Sequence, residues 1–407
     1  MQERSYELKS RDVLFFRDGR PMDADKAKKR DVCNIGHGAV WPRPDHLFNG
    51  VMHALLKAAP DADYGSFTSL KVMGPYPVKS DTLYLPRPLD WDMEFELCDN
   101  TDLPKPLEYG FIDRVDGKKK YPAWIKVEDY QKYLRGEDHG CSDKSFSYAD
   151  SNLFGIENRI GTTLDSKTGA SMRVEGCRSG QYRGEYLRLQ KDVSMWCAVE
   201  TGMVGMKADA PEAPETPQSF VMGGQGGIVT RCETDIDLFT MFPAPKVTSD
   251  GEIFVRWTLI SPTLFKQTGW LPGWCRDSRK NVSELERKDI GSVMFPDCEG
   301  SKLVGACTGK PIAFSGYDTK DGIKPTVLAV PQGSVYLFKC NSAASANALI
   351  SRLHLQRQSD DGPKGFGIGI CSVVTPTAVG GDHDKSPSAV GGGHEKEKDL
   401  INERKNS

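Results

Sequence analysis

The sequence predicts an α+β fold, and three observations carry that reading. Strand-like apolar runs alternate with only two clearly amphipathic helical stretches. Each half of the chain ends in a glycine-rich loop running into a short apolar strand, MGGQGGIVTR at 222–231 and GPKGFGIGICSVVT at 362–375. The 407 residues also exceed one compact core, at roughly 100–200 residues per domain. A strand, a helix and a glycine loop leading into a strand, occurring twice, suggest two ferredoxin-like (RRM-like) units, residues 1–245 and 246–375.

In chain order, SYELKSRDVLFF (5–16) reads as a strand and the polar, basic stretch 17–31 as a loop. PRPDHLFNGVMHALLKAAP follows as an amphipathic helix, with Asp45 as its cap, Pro60 as its stop, and Leu47, Val51, Leu55 and Ala58 at helical spacing. Residues 88–140, rich in Pro, Asp, Lys and Tyr, have little periodicity and read as a large irregular insertion in the first domain. GEYLRLQ (184–190) and VSMWCAVE (193–200) read as a hairpin, and FVMGG with IVTRCE as a pair around the first glycine cluster.

The second series opens with EIFVRWTLIS (252–261), whose two alternating faces are both apolar enough for partial burial. VLAVPQGSVYLFKC (327–340) reads as a hairpin turning at Pro331–Gly333, and NSAASANALISRLHLQ (341–356) as a helix capped by Ser342. Trp270, Leu271 and Trp274 in GWLPGW sit on a Gly/Pro-spaced loop and are assigned to a protein interface or to packing between the domains. Residues 376–407 turn abruptly to Gly, Ser, Pro and charge, the composition of a disordered low-complexity tail.

Lys and Arg total 53 against 56 Asp and Glu, a net charge of −3. Such a balance excludes a uniformly basic nucleic-acid coat, so any RNA site must be a local patch. No stretch approaches the roughly 18 apolar residues of a spanning helix, and the opening MQERSYELKS lacks the form of a secretory signal, so no membrane association and a cytoplasmic location are expected. Eleven cysteines without a C-x-x-C pair fit neither a disulfide framework nor a structural zinc site.

Enzyme motifs fail in turn. GACTGKP (305–311) is one residue short of a phosphate loop and has Pro311 where the magnesium-binding hydroxyl belongs. GGDHD (380–384) lies in the low-complexity tail, and neither H-E-x-x-H nor G-x-S-x-G occurs. No catalytic residue, metal or cofactor is therefore assigned. His37, between Gly36 and Gly38 in an open loop beside the basic stretch, is read first as a polar loop residue or RNA contact and second as a general base.

Arg17, Arg20, Lys26, Lys28, Lys29 and Arg30 fall within fourteen residues, with Trp41 and Arg43 close behind. Cations suit phosphates, and an aromatic ring gives a base a stacking surface, although Asp18, Asp23, Asp25 and Asp31 dilute the field. The two glycine clusters lack side chains that would hold a backbone away from a phosphate.

Six motifs in order, LFFRDGRPM, VWPRPDHLFNGVMHALL, MGGQGG, SPTLFKQTGWLPGW, AVPQGSVYLF and GFGIGI, resemble the RAMP-superfamily subunit called Cmr subunit three, of the type III-B CRISPR effector complex. The resemblance spans about residues 10–374. Gln225 stands where the family often has an acidic residue, and Pro42-Arg43-Pro44 where it often has a proline pair. The resemblance implies two RAMP domains and a non-catalytic subunit that holds the 5′ handle of the CRISPR RNA and contacts the large palm-domain subunit and the RAMP backbone subunits. It also implies RNA-side residues: Arg17 and Arg20; Gly223, Gly224, Gly226 and Gly227; Gly365, Phe366 and Gly367. Charge and position alone add Lys29, Arg30, His37, Arg43, Arg231 and Lys364. The other readings are a metal-independent RAMP endoribonuclease of CRISPR repeat RNA, with His37 as base, and the handle-binding subunit of a type III-A complex.

Overall fold

A computed structural model describes residues 3–18, 34–98, 103–113, 121–137, 150–162, 164–165, 167–170, 181–201, 217–277, 286–315, 317–318, 322–323 and 325–375. The expected tail, and Arg20, Lys29 and Arg30 of the basic loop, lie outside these residues. In chain order the first half carries β1 (Glu3–Ser10), β2 (Asn34–Gly36), α1 (Pro44–Ala58), β3 (Lys71–Lys79), β4 (Thr82–Pro86), β5 (Met93–Leu97), β6 (Tyr109–Asp113), β7 (Trp124–Lys126) and α2 (Val127–Arg135). It continues through β8 (Phe154–Thr162), β9 (Gln181–Leu189), β10 (Val193–Glu200), β11 (Ser219–Val221), β12 (Ile228–Glu233) and the single turn α3 (Leu238–Met241). The second half has β13 (Ile253–Leu259), β14 (Ser301–Cys307), β15 (Ile312–Phe314), β16 (Tyr317–Asp318), β17 (Gly322–Ile323), β18 (Val327–Ala329), β19 (Val335–Cys340), α4 (Ala343–Leu353) and β20 (Gly369–Val374).

The first large sheet runs β11-β12-β1-β10-β3-β4-β7. Within it β1 and β3 both pair antiparallel with β10, so β1-α1-β3 is a crossover with β10 threaded between its strands. The second sheet runs β20-β13-β19-β14-β6-β5 and repeats the same order of its four core strands, all antiparallel. This is the ferredoxin-like order twice over, in an α+β chain dominated by strands. Each half keeps a different helix: α1 covers the first crossover of the first sheet and α4 the second crossover of the second. The glycine clusters are equivalent in place, each leading into the fourth strand of its sheet.

Local chemistry explains the helices. α1 buries Leu47, Val51, Met52, Ala54 and Leu55 on one stripe and stops at Ala58 before Pro60. Its N-cap is Arg43 rather than Asp45: the Asp45 carboxylate instead takes both arms of the Arg43 guanidinium at 2.9 Å. α4 is capped as expected, Ser342 Oγ accepting from the Ser345 amide at 3.2 Å. No helix among the described residues is long and apolar enough to cross a membrane.

Four expectations are corrected. β9 and β10 are not a hairpin: β9 pairs with β8 and β2 in a separate three-stranded sheet, while β10 enters the first large sheet. β18 pairs with β15, not with β19, so Pro331–Gly333 is a crossing between sheets. The stretch 88–140 is not simply irregular, since β5 and β6 extend the second sheet and β7 and α2 pack on the first. Its mixed composition hides them because each strand buries few side chains. Finally, GWLPGW is core. Trp274 stacks on Phe338 and Phe295 with ring centroids 5.6 and 5.0 Å away, and Leu271 is buried. Together they cover the sheet where the second half has no crossover helix among its described residues.

Candidate nucleic-acid interface

Residues 14–18 continue the chain beyond β1 as an extended segment stitched on two sides. Leu14 exchanges backbone hydrogen bonds with Leu187 at 2.9 and 2.8 Å, and the Phe15 carbonyl accepts from the Gly224 amide at 2.8 Å. The Phe16 carbonyl accepts from Ala39 at 2.6 Å, and the Asp18 amide donates to the His37 carbonyl at 3.2 Å. The basic loop thus leaves at Asp18 and returns at β2 with both ends fixed against β9. Arg17 is exposed at this junction, directly opposite Gly38.

His37 is not in an open, flexible loop. A Cβ on Gly38 would sit 2.0 Å from the Glu185 carbonyl oxygen, so only glycine allows that approach. The Glu185 carboxylate in turn lies 3.3 Å from His37 Nδ1 and accepts from the Gly38 amide at 3.3 Å. Glu185 has no counterpart in the sequence reading. It stands 148 residues from His37, and nothing local marks it.

The first glycine loop divides. Gly223, at φ +81°, would place a Cβ 2.5 Å from the Phe15 carbonyl, and one on Gly227 would meet Leu14 at 2.9 Å. The amides of Gly224 and Gly227 are engaged inside the protein, with Phe15 and Gly224. What faces solvent is the tip 223–226, where Gln225 and Gly226 have positive φ and Gly226 has open space around it.

The second glycine loop is buried. Phe366 is 2% exposed and packs on Phe314 at 5.6 Å, so its ring has no face left for a base. Gly365 fits between Pro44 and the Val72 carbonyl, with 3.0 Å to each from an added Cβ, and Gly367 presses on Ser359 at 2.7 Å. The Gly365 and Gly367 amides donate to the carbonyls of Gly362 and Pro262. These glycines let the loop pack on α1 and β3 and leave no amide for a phosphate. Lys364, half-exposed and 3.4 Å from Asp361, is the part of the loop nearest solvent charge.

Arg43 and Arg231 are likewise committed to the protein. Arg43 is paired with Asp45 and lies 4.7 Å over the Phe314 ring; Arg231 lies 4.7 Å over Tyr6. Burial alone would raise the Asp45 carboxyl, but the Arg43 hydrogen bonds and the Arg43 and Lys364 charges hold it below its ordinary value. His46 accepts from the Arg43 amide through Nδ1 at 3.1 Å, and burial pushes its pKa down to about 4. It is a neutral spacer beside Phe16. Among the described residues no group of three His, Cys, Asp or Glu side chains is placed to hold a metal.

The structure therefore brings Arg17, His37 and the 223–226 tip together, and sets Arg43, Arg231, Gly365, Phe366 and Gly367 within the protein. Among curated proteins none matches the chain. Solved structures similar to it include a chain in the type III-B Cmr-beta bound to cognate target RNA and AMPPnP, 12% identical over 82% of this chain and 86% of that one, TM-score 0.41. Another is in the Csm3-Csm4 subcomplex of the type III-A CRISPR-Cas interference complex, 10% identical over 84% and 93%, TM-score 0.35. The profile of one family, CRISPR-associated protein (Cas_Cmr3), matches residues 6–371. That match takes in all six ordered motifs and both sheets, and the chain accordingly belongs to the Cas_Cmr3 family of CRISPR-associated proteins.

Proposed function

We propose that the chain is a non-catalytic subunit that holds the 5′ handle of the CRISPR RNA in a cytoplasmic type III-B ribonucleoprotein. In this reading it bridges the large palm-domain subunit to the RAMP backbone subunits in antiviral defence. The observation that carries it is the junction at Arg17 and Gly38, where the root of a cation-rich loop is pinned beside an exposed glycine tip. The RNA side is then Arg17, Arg20, Lys29, Arg30 and His37, with the 223–226 tip and, beside the first turn of α1, Lys364. The test is handle binding by an Arg17→Ala, Arg20→Ala variant in the assembled complex over a salt series. Each lost phosphate contact should flatten the log–log salt dependence by roughly 0.7. An unchanged slope and affinity would remove the loop from the site.

One observation favours a second reading, a metal-independent endoribonuclease: His37 has a carboxylate partner in Glu185. A base must be joined by a group that protonates the departing oxygen. The hydrogen bonds of this pair lead only to the Gly38 amide among the described residues, which makes Glu185 a clamp on the loop. Repeat RNA incubated with the protein in EDTA should stay intact. Specific cleavage that vanishes in His37→Ala would establish the nuclease instead.

A further inference from the structure

His37 and Glu185 meet at the root of the basic loop, where β2 runs beside β9 and the 14–18 segment closes the other side. One carboxylate oxygen of Glu185 lies 3.3 Å from His37 Nδ1 and 3.3 Å from the Gly38 amide nitrogen. A carboxylate only accepts, so Nδ1 carries the ring's proton and Nε2 keeps a bare lone pair. The imidazole is 33% exposed, and Nε2 makes no hydrogen bond among the described residues. The other charged groups on the elements around it are Arg183 of β9, which donates to Asn158 Oδ1 at 2.8 Å, and Arg17 and Asp18 of the 14–18 segment. As it stands the pair is ill suited to a phosphate: the carboxylate repels it and the lone pair offers it no donor.

Both obstacles vanish once Nε2 takes a proton from solvent. We propose that RNA binding at this junction is coupled to the uptake of one proton by His37, with Glu185 as the positioning residue that holds the imidazolium. The imidazolium donates to the Glu185 carboxylate through Nδ1 and to a backbone phosphate through Nε2, and the anion on either side favours its charge. Glu185 fixes which nitrogen faces the strand, and the strand then meets a neutral pair in place of a bare carboxylate. This assignment rests on the RNA-binding reading above and adds how that site responds to pH. A ring protonated in the complex is not available as the base of a nuclease.

The experiment follows affinity and proton balance together. Full-length protein is titrated with handle RNA at constant ionic strength from about pH 8 to pH 6, within the interval where imidazoles change charge. Affinity should rise as the pH falls, by up to about tenfold per pH unit where a whole proton is taken up. Calorimetry in two buffers of different ionisation enthalpy should show protons leaving the buffer as RNA binds. His37→Gln should remove both the pH dependence and the uptake. Glu185→Gln keeps an acceptor for the Gly38 amide. If the carboxylate only clamps the loop, this change shifts affinity equally at every pH; if it sustains the imidazolium, the pH dependence flattens, with most of the loss at the acid end. Binding without proton uptake in the unaltered protein overturns the coupling whether or not either variant folds, and leaves the RNA-binding reading standing with a ribose hydroxyl as donor to Nε2. A pH dependence that persists in His37→Gln, or an equal shift at every pH in Glu185→Gln, overturns it likewise. No binding of handle RNA by the unaltered protein at any pH overturns both.

Discussion

His46 lies in the first turn of α1, half-buried against Phe16, where its ring accepts the amide that begins the helix. A histidine with a pKa near 4 in the folded chain and an ordinary 6.5 unfolded binds its proton first in the unfolded state. Its contribution to stability is fully present above pH 6.5 and is lost as the pH falls from there towards 4. Across that interval the loss is about 1.4 kcal/mol per pH unit. Thermal unfolding followed between pH 7 and pH 4, roughly the span of these two values, should therefore be steeper for the native protein than for His46→Gln. Equal slopes would show that His46 titrates normally. His354 adds to the same trend, because burial lowers it too while Nδ1 accepts from the Cys371 amide at 3.2 Å. Residue identities announced such places without giving their meaning. Both glycine clusters stand out in the sequence, yet what a missing Cβ makes room for, solvent at Gly226 or the Val72 carbonyl at Gly365, is decided by segments far away in the chain.

Elements were legible in proportion to how local their causes are. α1 and α4 follow from 3.6-residue periodicity, a proline stop and a serine cap, all readable within fifteen or so residues. Strands were found as strands, but their partners were not, because adjacency in sequence says little once chain segments leave for another sheet: β9 goes to β8, β10 to β1 and β3. GWLPGW shows the same limit. Glycine and proline spacing excludes a regular strand, and from there an exposed anchor and a core plug look alike. The stacks of Trp274 on Phe295 and Phe338, with Trp257 6.1 Å away, settle it as a plug in the second core. Trp274 is half-buried, so Trp274→Ala should lower unfolding stability by about 3 kcal/mol, the lower end of the range for emptying a buried aromatic site. Denaturant titration of the isolated protein checks it. A loss below about 1 kcal/mol, coupled with weakened subunit binding, would restore the interface assignment.

At the scale of the molecule, residues 90–137 are what ties the two ferredoxin-like sheets into one body, and they come from the part of the sequence with the least pattern. β5 and β6 complete the second sheet although they precede most of the first in the chain. Behind them the Asp90 carboxylate receives the Tyr133 hydroxyl at 2.5 Å and faces the Arg256 guanidinium at 3.5 Å. Arg256 donates to the Tyr133 carbonyl at 3.0 Å and to Ser372 Oγ at 3.1 Å, so one buried network reaches from the insertion to β13 and β20. The first core also takes in Ile260, Leu355, Ile368 and Ile370 from the second half. A boundary near residue 245 consequently cuts across both the second sheet and the shared packing. Removing one partner of a buried ion pair costs about 3–5 kcal/mol because the other is left charged and dry. Asp90→Ala should therefore lower the melting temperature of the whole of residues 3–375 in a single calorimetric transition, with no separate melting of either half. A fragment ending at residue 245 should fail to fold, since it would leave β5, β6 and the Asp90 carboxylate without their partners. Two resolved transitions in the native protein, or a soluble, cooperatively folded fragment, would show that the sheets are independent domains held together only by their link.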